Sequence, residues 1–362
     1  MIGSRLIVAG VLVAGCNGAG DDSSPFDSAM ESATGSTTST SDATTSPPST
    51  TTSGAGTGMG SSSDGADADS GTGVKFDLDN PDAPGGIATG CDKVDLLFVI
   101  DDSGSMSDNQ DKLTAAFPGM AQTIDDTLVD QQGIDYRIGV VSSNITDETM
   151  CLLGALCGPG YLGRLQHTEG RVACSDVPAG RWIEGSEGAA AVGDQFTCVA
   201  SLRQAQDFNG VPSGGSEAPL EATRMALVDR VSDVEQYNLG FLREDALLVL
   251  VLVTDEDDQS VWMTPTNWPL FGGPGPLAPV ADFHDMLVQL KGGHPENLVA
   301  VAISGPQSGG GDTSAPRIHA FLDLFAPNSY WSNISGSDYS APLQEALELI
   351  QGSCENFIPP AG

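Results

Sequence analysis

The chain has 362 residues, with 49 acidic side chains against 14 basic ones and a formal net charge of −35. A surface this acidic repels the phosphates of nucleic acids and the anionic headgroups of lipids, so we exclude both as binding partners. The same charge favours cations as ligands.

Residues 1–16 have the pattern of an export signal. Arg5 precedes a short apolar run that ends in the residues VAGC, at positions 13–16. The run is too short to span a membrane, and its end resembles the bacterial lipobox, in which the cysteine is lipidated. We expect an exported protein anchored by lipid at Cys16, at the outer membrane or cell surface rather than the inner membrane. An ordinary signal peptide with a chance cysteine is the alternative.

Residues 17–85 are rich in Ser, Thr, Gly and Asp and contain almost no aromatic side chains. Such a composition cannot bury enough apolar surface to offset the entropy lost on folding. The segment is therefore predicted to be a disordered tether, so that the lipid is the only membrane contact. The folded domain is predicted over residues 86–358.

Seven cysteines indicate a disulfide framework. If Cys16 carries lipid, six remain, and an exported chain meets an oxidising compartment that favours disulfides. Six cysteines allow 15 pairings; the pairing of neighbours, with the two outermost joined, is our hypothesis. It gives the following pairs: Cys151–Cys157, Cys174–Cys198 and Cys91–Cys354. Structural zinc is the alternative, although the paired CxxC motifs typical of such sites are absent from the sequence.

Four apolar runs are predicted to be strands, at 95–100, 136–143, 246–254 and 298–304. Their hydrophobicity is continuous rather than alternating, which indicates strands covered on both faces. Helical periodicity lies between the runs. The alternation predicts an α/β fold, a doubly wound and mostly parallel sheet with helices on both faces.

Five segments between and after these strands are helix candidates: 108–128 (interrupted near Pro118), 217–231, 280–291, 316–325 and 341–351. Residues 144–213 fit the alternation less well, since they hold four cysteines and many glycines. A stretch of this length is seldom a plain loop. We interpret it as a disulfide-pinned insertion with short strands and a helix near 194–206.

Oxygen-bearing side chains follow the predicted strands where ligands bind in parallel sheets, at the carboxyl ends. Asp101 ends the first strand, and Ser103 and Ser105 follow on a turn in the sequence VDLLFVIDDSGSM. Ser216 directly precedes a helix, and Asp255 ends the most apolar strand. Helix capping by Asp101 and Ser103 would account for the first loop alone. Three loops together favour a site for a hard, oxygen-seeking cation.

This D-x-S-x-S pattern, with a hydroxyl on a second loop and a later aspartate, resembles the metal-ion-dependent adhesion site of von Willebrand factor type A domains. The resemblance covers about residues 91–356 and is of the kind seen in myxobacterial-type lipoproteins. It implies an ion of the Mg²⁺ type, with Mn²⁺ and Ca²⁺ as alternatives. The implied metal residues are Asp101, Ser103, Ser105, Ser216 and Asp255. The family more often has Thr where Ser216 stands.

The resemblance also implies a function. One coordination position of the ion would stay open for an acidic residue of a protein ligand, which describes an adhesion or interaction module on the cell envelope. We expect no enzymatic activity, because no general base is evident beyond an acidic rim expected at Asp102, Asp257 and Asp258. A metal-dependent hydrolase and a passive envelope component with a purely structural metal are the alternatives.

Overall fold

The computed structural model describes residues 90–145, 162–203, 217–261, 276–309 and 313–360. These residues belong to one unit, Asp77–Gly362. The predicted signal peptide and tether lie outside the described residues, as do Cys16, Cys151, Cys157 and Ser216. No helix in the described part of the chain has both the length and the apolar character needed to cross a membrane.

Six strands form one sheet in the order β3-β2-β1-β4-β5-β6. Their bounds are β1 Lys93–Ile100, β2 Asp135–Ser142, β3 Ile183–Glu184, β4 Leu247–Thr254, β5 Leu298–Ser304 and β6 Ser329–Asn333. All neighbouring strands are parallel except the β2–β3 pair, which is antiparallel. The direction of winding reverses between β1 and β4, and ligands bind at such a switch point in open α/β sheets.

In the described part of the chain, six helices cover the sheet: α1 Ser107–Ile124, α2 Ala189–Ala200, α3 Pro219–Arg224, α4 Val280–Leu290, α5 Pro316–Asp323 and α6 Ser340–Glu355. Two of them continue through a π-helical turn, α1 through Asp125–Val129 to Gln132 and α3 through Met225–Asp229 to Ser232. Alternate residues of β1 point to opposite faces of the sheet, and each face is covered by its own layer of helices. Leu96 and Phe98 pack in the cluster that contains α1, α2 and α6, and Leu97 and Val99 pack in the cluster that contains α3, α4 and α5. The doubly wound α/β fold is thus confirmed.

The predicted interruption of the first helix at Pro118 is wrong, because α1 runs through this residue. A proline inside a helix has no N–H for the carbonyl four residues before it, which here is that of Thr114. Thr197 of α2 donates its hydroxyl to this carbonyl at 3.4 Å. Gly193 of α2 also leaves room for the proline, since a Cβ there would lie 3.3 Å from Pro118.

Part of the predicted insertion, residues 144–213, belongs to the central fold. Ile183–Glu184 extends the sheet as β3, and α2 lies five residues nearer the N-terminus than the helix predicted near 194–206. Phe196 of α2 stacks on Phe117 of α1 with ring centroids 3.5 Å apart and meets Phe98 of β1 edge-on at 4.8 Å. The helix is therefore part of the main hydrophobic core.

Two of the three predicted disulfides lie within the described residues, and the structure forms both of them. Cys91 is bonded to Cys354, which joins the start of β1 to the end of α6. Cys174 is bonded to Cys198 of α2. The first bridge closes the folded unit close to its two ends.

Candidate metal centre

Asp101 is fully buried directly after β1, and both oxygens of its carboxylate are held in place. The backbone N–H of Ser103 donates to Oδ1 at 2.7 Å, and the hydroxyl of Thr254 donates to Oδ2 at 2.9 Å. The backbone N–H of Asp101 continues the sheet by donating to the carbonyl of Val253 at 2.9 Å. The ends of β1 and β4 therefore fix this carboxylate jointly.

A chain of hydrogen bonds connects the loops after β1 and β4. The hydroxyls of Ser103 and Ser105 lie 3.0 Å apart; Ser103 directly precedes the 3₁₀ turn Gly104–Met106, and Ser105 lies within it. The hydroxyl of Ser105, which is exposed, donates to Oδ1 of Asp255 at 3.2 Å. The structure thus brings together four of the five predicted metal residues. The fifth, Ser216, lies outside the described residues.

Two residues that sequence reasoning missed support this arrangement. Gln110 is buried on α1 and donates its amide to the backbone carbonyl of Asp101 at 2.9 Å. The hydroxyl of Thr254, besides its bond to Asp101, accepts from the backbone N–H of Glu256 at 3.2 Å. A threonine directly before the aspartate at a strand end was the available signal for Thr254, whereas the sequence around Gln110 gave none.

Asp102 does not belong to an exposed acidic rim, as was expected, because it is buried. Its side chain forms hydrogen bonds with Ser142 and Asn144, at and just after the end of β2. Glu217 is buried as well. One carboxylate oxygen of each residue, Oδ2 of Asp102 and Oε1 of Glu217, has no hydrogen-bond partner in the structure.

Among the described residues, negative charges but no Lys or Arg act on these buried carboxyl groups. Burial, with the charge of Asp101, raises the pKa of Asp102 to about 7. Burial, with the charges of Asp101 and Glu256, raises the pKa of Glu217 to about 8. Burial also raises the pKa of Asp101 itself, to about 6. No described Lys or Arg is among the groups that act on these three pKa values.

The expected solvated rim at Asp257 and Asp258 is also wrong. Oδ1 of Asp257 accepts from the backbone N–H groups of Arg317 and Ile318, at 2.9 and 3.3 Å, and so caps α5. Asp258 is buried and paired with Arg317 at 2.9 Å. Oδ1 of Asp257 is thus occupied by backbone donors, and the Asp258 carboxylate by side-chain and backbone donors.

The donor set fits a hard cation. Among the described residues, no group of three or more His, Cys, Asp and Glu side chains is arranged to hold a metal. The predicted set differs in kind, because only Asp101 and Asp255 are carboxylates and the remaining donors are hydroxyls. Oxygen-only donors with few carboxylates suit Mg²⁺, Mn²⁺ or Ca²⁺. The two unpartnered carboxylate oxygens nearby are consistent with a missing positive charge.

Comparisons with known proteins gave matches among solved structures only. No protein-family model matches the chain, and no curated protein matches it. Similar structures include proximal thread matrix protein 1 from the mussel byssus with a zinc-occupied MIDAS motif, at 13% identity and a TM-score of 0.35. A von Willebrand factor type A structure from Catenulispora acidiphila gives 13% and 0.31. The pilus adhesin SpaC from Lactobacillus rhamnosus GG gives 11% and 0.37.

The matches cover 73%, 73% and 71% of this chain, and 49%, 42% and 30% of the three proteins. The chain thus spans about half or less of their lengths. The fold assignment depends on the strand order and the loop geometry, and not on these likenesses. With a D-x-S-x-S loop after the central strand β1 and an aspartate after β4, this doubly wound sheet resembles a von Willebrand factor type A domain.

Proposed function

We propose that the sheet edge formed by the ends of β1 and β4 binds a divalent cation of the Mg²⁺ type. Asp101, Ser103, Ser105 and Asp255 would hold the ion, together with Ser216. The observation that carries the proposal is the continuous chain from Ser103 to Ser105 to Asp255, with steps of 3.0 and 3.2 Å, beside the fixed carboxylate of Asp101. This chain lies at the switch point of the sheet, where ligands of this fold class bind.

Electrostatics support a cation at this position. The charge of Asp101 raises the pKa of the buried Asp102 and Glu217, that of Asp255 raises the pKa of Asp101, and no described Lys or Arg is among the groups that act on the three. Burying unpaired carboxylates costs several kcal/mol each. A divalent ion would offset this cost, since bound cations are often the largest local charges in a site.

The same site would recognise a protein partner through an acidic side chain. A bound Mg²⁺ supplies an electrophilic position that a carboxylate oxygen can occupy. Ser105 is exposed and Asp255 is partly exposed, so this side of the site faces solvent. We assign the chain a role as a metal-dependent adhesion or interaction module rather than as an enzyme.

Cell-envelope display completes the proposal. Disulfides are typical of exported proteins, and the described chain contains two. Lipid at Cys16 and the tether over 17–85 would hold the domain away from the membrane surface. Mass spectrometry of the mature N-terminus tests this part, with acylated Cys16 as the expected result. A mature chain that begins elsewhere overturns it.

Thermal unfolding of the purified chain tests the metal site. We expect millimolar Mg²⁺ or Mn²⁺ to raise the melting temperature relative to a chelator, with about 2.7 kcal/mol gained when the ion is at 100 times its Kd. Asp101→Ala should remove the gain. Asp282→Ala, which changes an exposed aspartate on α4, is the control and should keep it. An unchanged melting temperature for the wild type contradicts the proposal.

A second experiment separates recognition from a purely structural metal. The immobilised chain is exposed to envelope extract in Mg²⁺ and in chelator, and again as the Asp101→Ala variant. We expect a partner that is retained only by the wild type in Mg²⁺. If the metal raises the melting temperature but retention never depends on it, the metal is structural and the interaction role is wrong.

A further inference from the structure

We infer that Asp258 is a positioning residue for the metal centre. With Ser260 and Arg317, it fixes the β4 loop (255–260), which carries Asp255, against the segment 217–221, which directly follows Ser216 in the chain. This role depends on the proposed metal site: Asp258 would hold the β4 loop and the segment after Ser216 in fixed positions relative to each other.

Asp258 is almost fully buried and accepts hydrogen bonds on both carboxylate oxygens. Oδ1 accepts from the backbone N–H of Leu220 at 3.2 Å and from the hydroxyl of Ser260 at 2.5 Å. Oδ2 accepts from Nε and Nη2 of Arg317, at 3.1 and 2.9 Å. One side chain three residues after Asp255 therefore contacts both the start of α3 and the start of α5.

The start of α3 depends on this loop for its capping. Ala218 stands at the N-cap position, and no side-chain cap is formed there. The first N–H groups of a helix need acceptors, and here these come from the β4 loop. Asp258 accepts from Leu220, and the fully buried hydroxyl of Ser260 accepts from the backbone N–H of Glu221 at 2.8 Å.

Backbone contacts reinforce the connection between the two loops. The N–H of Gln259 donates to the carbonyl of Glu217 at 2.8 Å, and the N–H of Ala218 donates to the carbonyl of Ser143 after β2 at 3.2 Å. The position of the segment after Ser216 is therefore set by the β4 loop on one side and by the loop after β2 on the other.

Arg317, at the start of α5, also helps to fix the β4 loop. Besides its contacts with Asp258, Nη2 donates to the carbonyl of Ala278 at 2.7 Å. Its backbone N–H donates to Oδ1 of Asp257, two residues after Asp255, at 2.9 Å. The guanidinium and backbone of one residue thus contact two consecutive aspartates of the β4 loop, which restricts the direction in which Asp255 can point.

A positioning role differs from a merely structural one in what it predicts. Groups that orient metal ligands typically change metal affinity 10–100-fold when they are replaced. A structural ion pair changes the stability of the fold and leaves the affinity of the folded protein unaltered. The chain contains a matched pair for comparison, because Asp95 is equally buried and bonded to Nε of Arg243 at 2.8 Å. That pair lies near the start of β1, at the opposite end of the sheet from Asp101.

The test measures Mn²⁺ affinity by electron paramagnetic resonance, with the stability of the chelated protein followed in parallel. We expect Asp258→Asn to weaken Mn²⁺ binding about 10–100-fold. Ser260→Ala removes one hydroxyl and leaves the Asp258–Arg317 pair, and it should weaken Mn²⁺ binding about 10-fold. This variant keeps the test valid if Asp258→Asn does not fold. Asp95→Asn should lower stability and leave the affinity of the folded protein unchanged.

The outcomes separate the two claims. If the wild type binds Mn²⁺ and both Asp258→Asn and Ser260→Ala bind it equally well, the positioning role is overturned and the metal site stands. If Asp95→Asn weakens binding as much as Ser260→Ala does, the effect is one of general stability and the positioning role is again overturned. If the wild type binds no Mn²⁺, the proposed function fails and the positioning role fails with it.

Discussion

Phe196 is the side chain that makes α2 part of the core. It is fully buried between Phe117 and Phe98. Replacing Phe196 with Ala removes buried apolar surface and leaves a cavity, so we expect a loss of about 3–5 kcal/mol in the free energy of unfolding. Urea unfolding measures this loss. Val234→Ala, at a fully exposed position, should change stability by less than about 0.5 kcal/mol. Comparable small effects of the two substitutions would mean that α2 is an appended helix.

Lys291 provides a pH-dependent contribution to stability. The residue is buried after α4, and its ammonium donates to the backbone carbonyls of Arg243 and Glu244 at 2.8 and 2.9 Å. Burial lowers the pKa of Lys291 from 10.5 to about 8, although Asp95 acts in the opposite direction. Between these two values the unfolded chain binds more protons than the folded one. The free energy of unfolding should therefore rise with pH in this window.

Lys291→Met removes this titration, and we expect its free energy of unfolding to rise less steeply than that of the wild type between about pH 8 and 10. Urea unfolding at several pH values gives both slopes. Equal slopes for the two proteins would show that Lys291 has the same pKa in the folded and unfolded states.

At the scale of single residues, sequence reasoning found the groups that follow strand ends. Asp101 and Asp255 could be placed together because adjacent parallel strands bring their carboxyl ends to the same edge of the sheet. The burial of Asp102 and the supporting roles of Gln110 and Asp258 could not be foreseen. Their roles depend on which distant segment each side chain meets, and a local pattern does not contain that information.

At the scale of a single element, Pro118 should lower the stability of α1. The residue is exposed, and the hydroxyl of Thr197 reaches the carbonyl that its ring leaves without a backbone donor. Pro118→Ala restores the missing N–H, so we expect stability to increase by up to about 3 kcal/mol. Thr197→Val should lower the stability of the wild type by about 1 kcal/mol.

A double-mutant cycle tests whether the two residues are coupled. In the Pro118→Ala background the carbonyl of Thr114 has its own helical donor, so Thr197→Val should cost less there than in the wild type. Urea unfolding of the four proteins gives the coupling energy. A cost for Thr197→Val that is the same in both backgrounds would show that the hydroxyl serves only its second acceptor, the carbonyl of Gly193.

The strands that are buried on both faces were the ones predicted most accurately. The strands β1, β2, β4 and β5 were predicted to within two residues, because continuous apolar runs are typical of strands covered on both faces. Short strands were predicted within 144–213 without bounds, and β3 lies in that segment, whereas β6 was not predicted. Only two residues form β3, and β6 has the half-buried sequence SYWSN, which lacks an apolar run. Tertiary pairing rather than local sequence determines both.

At the scale of the whole molecule, the alternation of strands and helices was sufficient to predict the doubly wound sheet. Strand order was beyond sequence reasoning, since it depends on which crossover each helix makes. The cysteines offered an independent constraint, because pairing neighbours and joining the outermost two requires the chain ends of the domain to meet. The observed bridge from the start of β1 to the end of α6 satisfies this requirement.

The two described disulfides should differ in what they contribute to stability, because they close loops of very different length. Their sequence separations are 263 for Cys91–Cys354 and 24 for Cys174–Cys198. By loop-closure entropy, replacing both cysteines with Ala should cost about 5.5 kcal/mol for the long loop and about 3.5 kcal/mol for the short one. Urea unfolding of the two double variants measures both losses. A larger loss for the short loop would mean that native packing around α2, rather than the unfolded chain, determines the effect of these bridges.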